Sequence, residues 1–195
     1  MFQNENGWWR VKDSKVDFKA NGIYQNKNGW WKTTNGKVTF KETGVFQNEH
    51  GWWVVKDSKV DFNANGFYKK GNEIWKFTDG KITFKENGTF AGNDGKTVYR
   101  VKDSKVDTKD TGVYPFGNDM LKFTDGICNY NENGIFKNKS GIWYLKDSKV
   151  DSDFTGFASN NDGTWYFESG KVNTKKTGTF LIEGDHFTLK NGELV

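Results

Sequence analysis

The sequence predicts an all-β chain, a β-solenoid of about nine stacked β-hairpin repeats, and three observations carry that expectation. The first is periodicity. A unit clearest at Gly51-Trp52-Trp53-Val54-Val55-Lys56-Asp57-Ser58-Lys59-Val60-Asp61-Phe62 recurs, with drift, from end to end. Its markers fall at Trp9, Trp31, Trp53, Trp75, Tyr99, Leu121, Trp143, Trp165 and Phe187, and seven of the eight intervals are 22 residues. The second is composition: 34% of the residues are hydrophobic but 17% are aromatic, with 23 glycines and a single proline. Aromatic side chains bury roughly 150–250 Å² each, so a few of them hold a thin core, and glycine serves closely spaced turns. The third is that no segment shows apolar residues at a helical period. A unit this short cannot bury its apolar face alone, so residues 1–195 read as a single repeat array.

The third copy shows the order of elements. Gly44 opens an extended run, Val45-Phe46-Gln47, followed by a turn at Asn48-Glu49-His50-Gly51. The main strand is Trp52-Trp53-Val54-Val55; a second turn at Asp57-Ser58 leads to Val60 and Phe62. Aromatic and β-branched runs bounded by Gly and Asn predict a hairpin. The second and fourth residues of the main strand read as apolar, as in Trp9 and Val11, Trp75 and Phe77, Leu121 and Phe123, or Trp165 and Phe167. Strands alternate faces, so these point into the array, joined by Val16, Val38, Val60, Ile82, Val106, Val150 and Val172. The first and third residues are then expected to face outward. The first is Trp8, Trp30 and Trp52, then Ile74, Val98, Met120, Ile142, Thr164 and His186. The third is Arg10, Lys32, Val54, Lys76, Arg100 and Lys122, then Tyr144 and Tyr166. Exposed tryptophans are expected only in the first third of the chain.

A longer period overlies the short one. Second turns alternate between Asp-Ser (Asp13-Ser14, Asp57-Ser58, Asp103-Ser104, Asp147-Ser148) and Gly-containing pairs (Asn35-Gly36, Asp79-Gly80, Asp125-Gly126, Ser169-Gly170, Asn191-Gly192). The duplicated unit is therefore two copies. A two-residue insertion around positions 91–97, and the lone Pro115, predict a local irregularity and a bend in the middle of the chain.

Charge and motifs narrow the function. The net charge of +4 comes from 29 basic and 25 acidic residues spread over every copy, with no basic block, so no nucleic-acid partner is expected. No apolar run approaches membrane-spanning length, so no membrane insertion is expected. Cys128 stands where other copies have Val60 or Ile82 and reads as core. Asp13, Asp57, Asp103 and Asp147 recur in turns, where stabilising the turn suffices. His50 and His186 have no nucleophile nearby in the pattern, and Asp13-Ser14-Lys15-Val16-Asp17 lacks the spacing of a calcium loop. No catalysis, cofactor or metal is expected. The chain begins inside a repeat with no signal peptide, so it reads as a fragment of a longer protein that continues N-terminally or pairs through that end. His186, Thr188 and Lys190 make the last copy polar, as a C-terminal cap would be.

Through Gly44-Val45, Asn48 to Gly51 and Trp52-Trp53-Val54-Val55, the repeat resembles the cell-wall-binding repeats of Gram-positive surface proteins, the superfamily that includes choline-binding repeats. The resemblance covers essentially the whole chain. It implies a left-handed β-solenoid of hairpins on an extracellular, cell-surface or secreted protein. It also implies aromatic cages between hairpins, built from Trp after the opening Gly, Trp at the first strand position and an aromatic at the third. Here Ile23, Val45, Phe67, Thr89, Val113, Ile135, Phe157 and Thr179 follow the opening Gly, and no copy carries all three cage members.

Two functions follow. One is a non-catalytic module binding a cell-wall polymer or other glycan. Trp8, Trp30 and Trp52 would offer flat faces to sugar rings, Tyr24, Phe46 and Tyr68 would complete grooves, and Arg10 and Lys32 would meet phosphate or carboxylate. The alternative is a structural stalk or adhesin segment engaging a host or self protein. The same tryptophans would serve equally as a packing ladder between hairpins.

Overall fold

The computed structural model describes Met1–Val195 and contains strands and turns, with no helix. The chain divides into two compact units, Met1–Gly88 with Val101–Asp107, and Thr89–Arg100 with Thr108–Val195. In the first unit, hairpins pair Phe2–Asn4 with Gly7–Trp9, Gly22–Asn26 with Gly29–Thr33, Gly44–Asn48 with Gly51–Lys56, and Gly66–Lys70 with Glu73–Phe77. In the second, they pair Gly112–Phe116 with Asp119–Phe123, Gly134–Asn138 with Gly141–Lys146, Gly156–Asn160 with Gly163–Glu168, and Gly178–Ile182 with Asp185–Lys190. Gly88–Ala91 and Val98–Lys102 form the remaining hairpin, so the nine expected are nine observed.

Register is the same in the other eight. Phe46 lies opposite Trp53 and Asn48 opposite Gly51, as Tyr24 lies opposite Trp31 and Asn26 opposite Gly29. The short strand after each second turn ties a copy to the one before it. Lys59–Val60 pairs with its own main strand through Val55 and Val60, and with the preceding one through Trp31 and Lys59. Trp9 with Lys37, Trp53 with Lys81 and, in the second unit, Trp143 with Lys171 repeat that link.

The alternating turns have a physical reason. Asp57 and Ser58 both take left-handed backbone conformations (φ 50° and 63°), as do Asn35 and Gly36 (50° and 78°), which suits the twist of a hairpin. Ser58 is fully buried, and its hydroxyl oxygen accepts the Glu42 N–H at 3.2 Å. Ser104 accepts from Lys85 and Glu86, and Ser148 from Asn131 and Glu132. At Gly80 a β-carbon would collide with the Asp61 carbonyl oxygen, and at Gly36 with that of Asp17. One kind of loop offers amides for a serine to cap; the other leaves no room for any side chain.

Of the predicted inward residues, Trp53, Val55, Phe77, Leu121, Phe123, Trp165 and Phe167 are buried in the core, whereas Trp9, Val11, Val16, Trp75 and Val150 are half-buried. Two expectations need correction. The fourth position is not always apolar: Thr33 occupies it, buried, donating its hydroxyl to the Ala20 carbonyl at 3.1 Å. Nor is the other face outward, since Val54, Val98, Lys122 and Ile142 are buried as well. Trp53 and Val55 pack with Ile23 and Val60, whereas Val54 packs with Ala64, Phe77 and Ile82. The strand Gly51–Lys56 thus feeds two successive clusters, one per face, and a strand covered on both sides loses the simple inside–outside alternation.

The insertion forms a turn capped by Asp94, whose carboxylate accepts from the Thr97 hydroxyl (2.6 Å), the Thr97 N–H (2.8 Å) and the Lys96 N–H (2.9 Å). Those bonds, led by the Thr97 hydroxyl, hold the Asp94 carboxyl down at about 2. Pro115 causes no break: Gly112–Phe116 keeps register, with Tyr114 opposite Leu121. That strand lies at the end of its sheet, where proline is tolerated.

Candidate ligand-binding site

The tryptophans expected on the surface are half-buried instead. The Trp8 ring lies 5.3 Å from that of Trp31, and the Trp30 ring 5.0 Å from that of Trp53. Each first-position indole therefore packs on the second-position indole of the next copy. The cause is area: laying the next hairpin over that face removes a large apolar surface from water. The packing-ladder role is thus realised for Trp8 and Trp30. Trp52 differs. The Lys70 ammonium sits 4.3 Å from the centre of its ring and 5.4 Å from that of Trp75.

A second row of rings lies outside the first. Phe18, Phe40, Phe62 and Phe84 each stand edge-on to the marker of their own copy, with Trp9–Phe18 at 5.8 Å, Trp31–Phe40 at 5.7 Å, Trp53–Phe62 at 5.6 Å and Trp75–Phe84 at 5.6 Å. They are 66%, 48%, 43% and 50% exposed. The sequence reading missed this row, although the signal was present as a phenylalanine nine residues after each of the first four markers. Phe40 and Phe84 also hold left-handed backbone (φ 58° each), a conformation bulky residues avoid. Strain spent on displaying an apolar ring points to use of that ring.

Trp30 is where the two rows meet, with Phe62 at 5.9 Å and His50 at 5.3 Å. It lines a groove of about 250 Å³ together with Arg10, Tyr24, Gln25, Asn48, Glu49 and His50. A larger groove of about 510 Å³ is floored by Trp31, Phe40 and Phe62, with Lys56, Asp57, Lys59 and Asp61 at its rim.

Of the residues singled out in the sequence, the structure brings Arg10, Tyr24 and Trp30 to one groove. The Arg10 guanidinium lies 4.5 Å over the Tyr24 ring. Lys32 covers Phe46 at 5.2 Å, but its ammonium is engaged by the Thr33 carbonyl at 2.6 Å and the Thr34 hydroxyl at 3.2 Å. Tyr68 stands edge-on to Phe77 at 5.5 Å and packs with Val54 in a separate cluster, together with Trp52. Trp8 sits with Trp31 rather than at the Trp30 groove. In the second unit Arg100 lies 4.0 Å over Tyr114, and Lys122 4.7 Å over Phe136.

Three further cations at the third strand position are paired within the chain. Lys76 meets Glu86 at 3.6 Å, Arg100 meets Asp110 at 2.9 Å, and Lys122 meets Glu132 at 2.8 Å. Burial pushes the Glu132 carboxyl up, but hydrogen bonds from Lys122 and Thr124, with the Lys122 charge, bring it below the usual carboxylate range. Cys128 is buried, and that burial raises its thiol, as for a core side chain. No group of three or more His, Cys, Asp or Glu residues converges to hold a metal ion.

Four segments, residues 2–17, 41–61, 131–151 and 153–173, match the family model described as the choline-binding repeat. No curated protein matches the chain. Among solved structures, choline binding protein F from Streptococcus pneumoniae is 18% identical over 90% of this chain and 57% of that one, with a TM-score of 0.32. CbpF in complex with ipratropium is 16% identical over 96% of this chain and 54% of that one, at 0.32. The modular autolysin LytC from Streptococcus pneumoniae is 13% identical over 89% and 46%, also at 0.32. This chain spans about half the length of these proteins. In those four segments the hairpin of paired aromatics matches a choline-binding repeat, and the chain carries choline-binding-like repeats.

Proposed function

We propose that the array is a non-catalytic module that attaches a surface or secreted protein to a bacterial cell-wall polymer or other glycan. The observation that carries this reading is the cluster of Trp30, Trp53 and Phe62, which joins a half-buried indole to an exposed phenyl ring beside the polar groove of Arg10, Tyr24 and His50. Flat apolar rings with a few convergent polar groups suit a sugar or a substituted polymer unit. The match of four segments to the choline-binding repeat supports a wall polymer as that ligand, with choline-bearing teichoic acid one member of the class. The faces of Tyr24 and Phe46 are already covered by the chain's own cations, which argues against a cationic ligand on those two rings. Repetition of weak sites along one chain would raise avidity. The solenoid expected from the sequence belongs to the same reading: each main strand pairs with the short strand of the following copy, the contact a solenoid repeats.

Co-sedimentation with purified Gram-positive walls, before and after their secondary polymers are stripped, tests the proposal. Binding should disappear on stripping and fall about tenfold or more in Trp30→Ala and Phe62→Ala, changes of hot-spot size. An intact, folded chain that ignores both wall preparations overturns it. The exposed row of Phe18, Phe40, Phe62 and Phe84 favours the second reading, a segment engaging a protein partner. That reading expects no wall binding, and a partner interaction lost in Phe40→Ser and Phe84→Ser but kept in Trp30→Ala.

A further inference from the structure

The third residue of each main strand and the residue ten positions later complement one another. Lys76 faces Glu86, Arg100 faces Asp110 and Lys122 faces Glu132. Where the third residue is aromatic the partner changes with it: Tyr144 stacks on Phe154 at 3.9 Å, and Lys176 lies 4.6 Å over Tyr166. Arg10 breaks the rule. Its counterpart is Ala20, and Arg10 makes no ion pair.

The second unit shows what that place holds when a carboxylate is present. Arg100 lies over Tyr114 as Arg10 lies over Tyr24, and the Asp110 carboxylate accepts both the Arg100 Nε–H at 2.9 Å and the Tyr114 hydroxyl. In the first unit no carboxylate of the chain takes the corresponding place. A guanidinium stacked on a ring keeps its N–H edge free for a planar or tetrahedral oxyanion. Glu49 shares the groove, but its side chain is 84% exposed, and it lies 3.6 Å from His50 rather than against Arg10.

We propose that Arg10 and Tyr24 bind an oxyanion of the ligand, phosphate or carboxylate, where Asp110 sits against Arg100 and Tyr114, with the adjoining part of the ligand over Trp30. This rests on the wall-polymer reading for the source of the anion and adds the charged group that the site selects.

The test uses glycerol 3-phosphate and glucuronate as separate probes, followed through the indole N–H signals of the full chain by NMR. At millimolar probe, the Trp30 signal should shift with at least one of them. Ala20→Asp supplies the missing carboxylate in an arrangement the protein already builds around Arg100, so it should weaken probe binding about tenfold while leaving the other indole signals in place. Arg10→Gln should do the same, and Lys32→Gln should not. A response to glycerol 3-phosphate alone assigns the site to a phosphodiester polymer, and to glucuronate alone to an acidic sugar; both support the proposal. No Trp30 shift with either probe, or equal binding by Ala20→Asp, overturns it. If wall binding persists in that event, the oxyanion site fails and the wall module stands.

Discussion

At Lys70, one side chain changes how two hairpins meet. In two earlier copies the equivalent residue is Asn26 or Asn48, whose Oδ1 accepts the indole N–H of Trp31 or Trp53 at 3.1 and 2.9 Å. The third junction replaces that bond: Trp75 donates to Glu73 at 3.0 Å, and the ammonium of Lys70 enters between Trp52 and Trp75. Lys70→Asn should let Trp52 close on Trp75 as Trp30 closes on Trp53, visible as altered tryptophan fluorescence and near-ultraviolet circular dichroism. Unchanged spectra would mean that the lysine does not hold the rings apart. Asp94 gives a pH prediction. Its folded carboxyl lies at about 2, against about 3.9 for an unfolded aspartate. Its contribution is therefore present above about 3.9 and is lost as pH falls toward 2, because the unfolded chain then binds more protons. Asp94→Asn should flatten denaturant-measured stability across that window, and an unchanged slope would contradict the assignment.

For the elements, hairpins and turns were legible because each needs only local chemistry. Paired aromatics between Gly and Asn define the strands, and Asp-Ser or Asn-Gly defines the turns. What the alternation did not reveal is which face stays in water. Trp8, Trp30 and Val54 look outward within their own hairpin and are covered by the next one, a contact between copies that one copy's pattern does not contain. The pairing of residues ten apart was readable in principle, since Glu86, Asp110 and Glu132 change in step with Lys76, Arg100 and Lys122. The exposed phenylalanines escaped notice because their period is the same as that of the core valines two residues earlier. The turns themselves should not be interchangeable. Ser104→Ala strands two amide donors and should cost about 1–3 kcal/mol. Gly80→Ser should destabilise the first unit too, because its β-carbon meets the Asp61 carbonyl. Denaturant unfolding of both variants, with neither loss observed, would refute this account of the alternation.

Across the whole chain, stability is shared between neighbours, since each cluster draws on adjacent copies, as when Ile23 packs with Trp53, Val55 and Val60. The two kinds of turn also sit in two kinds of loop. The N–H of Ser58 reaches the Glu42 carbonyl and that of Ser104 the Glu86 carbonyl, whereas Gly36 and Gly80 reach Ala20 and Ala64. From Asp13-Ser14 to Ser169-Gly170 the two sockets alternate, and that stretch can grow or shrink only by doublets; the last copy, Asn191-Gly192, repeats the glycine kind. Excising residues 45–88 removes one copy of each kind and should leave a cooperatively folding protein. Excising residues 45–66 instead delivers the Gly80 turn to the Glu42 loop, which is shaped to bond a serine, and should yield a frayed, non-cooperative one. Insertions, deletions and recombination within the alternating stretch of such a gene would then be filtered by parity, so its copies are gained or lost by twos rather than as a freely adjustable length.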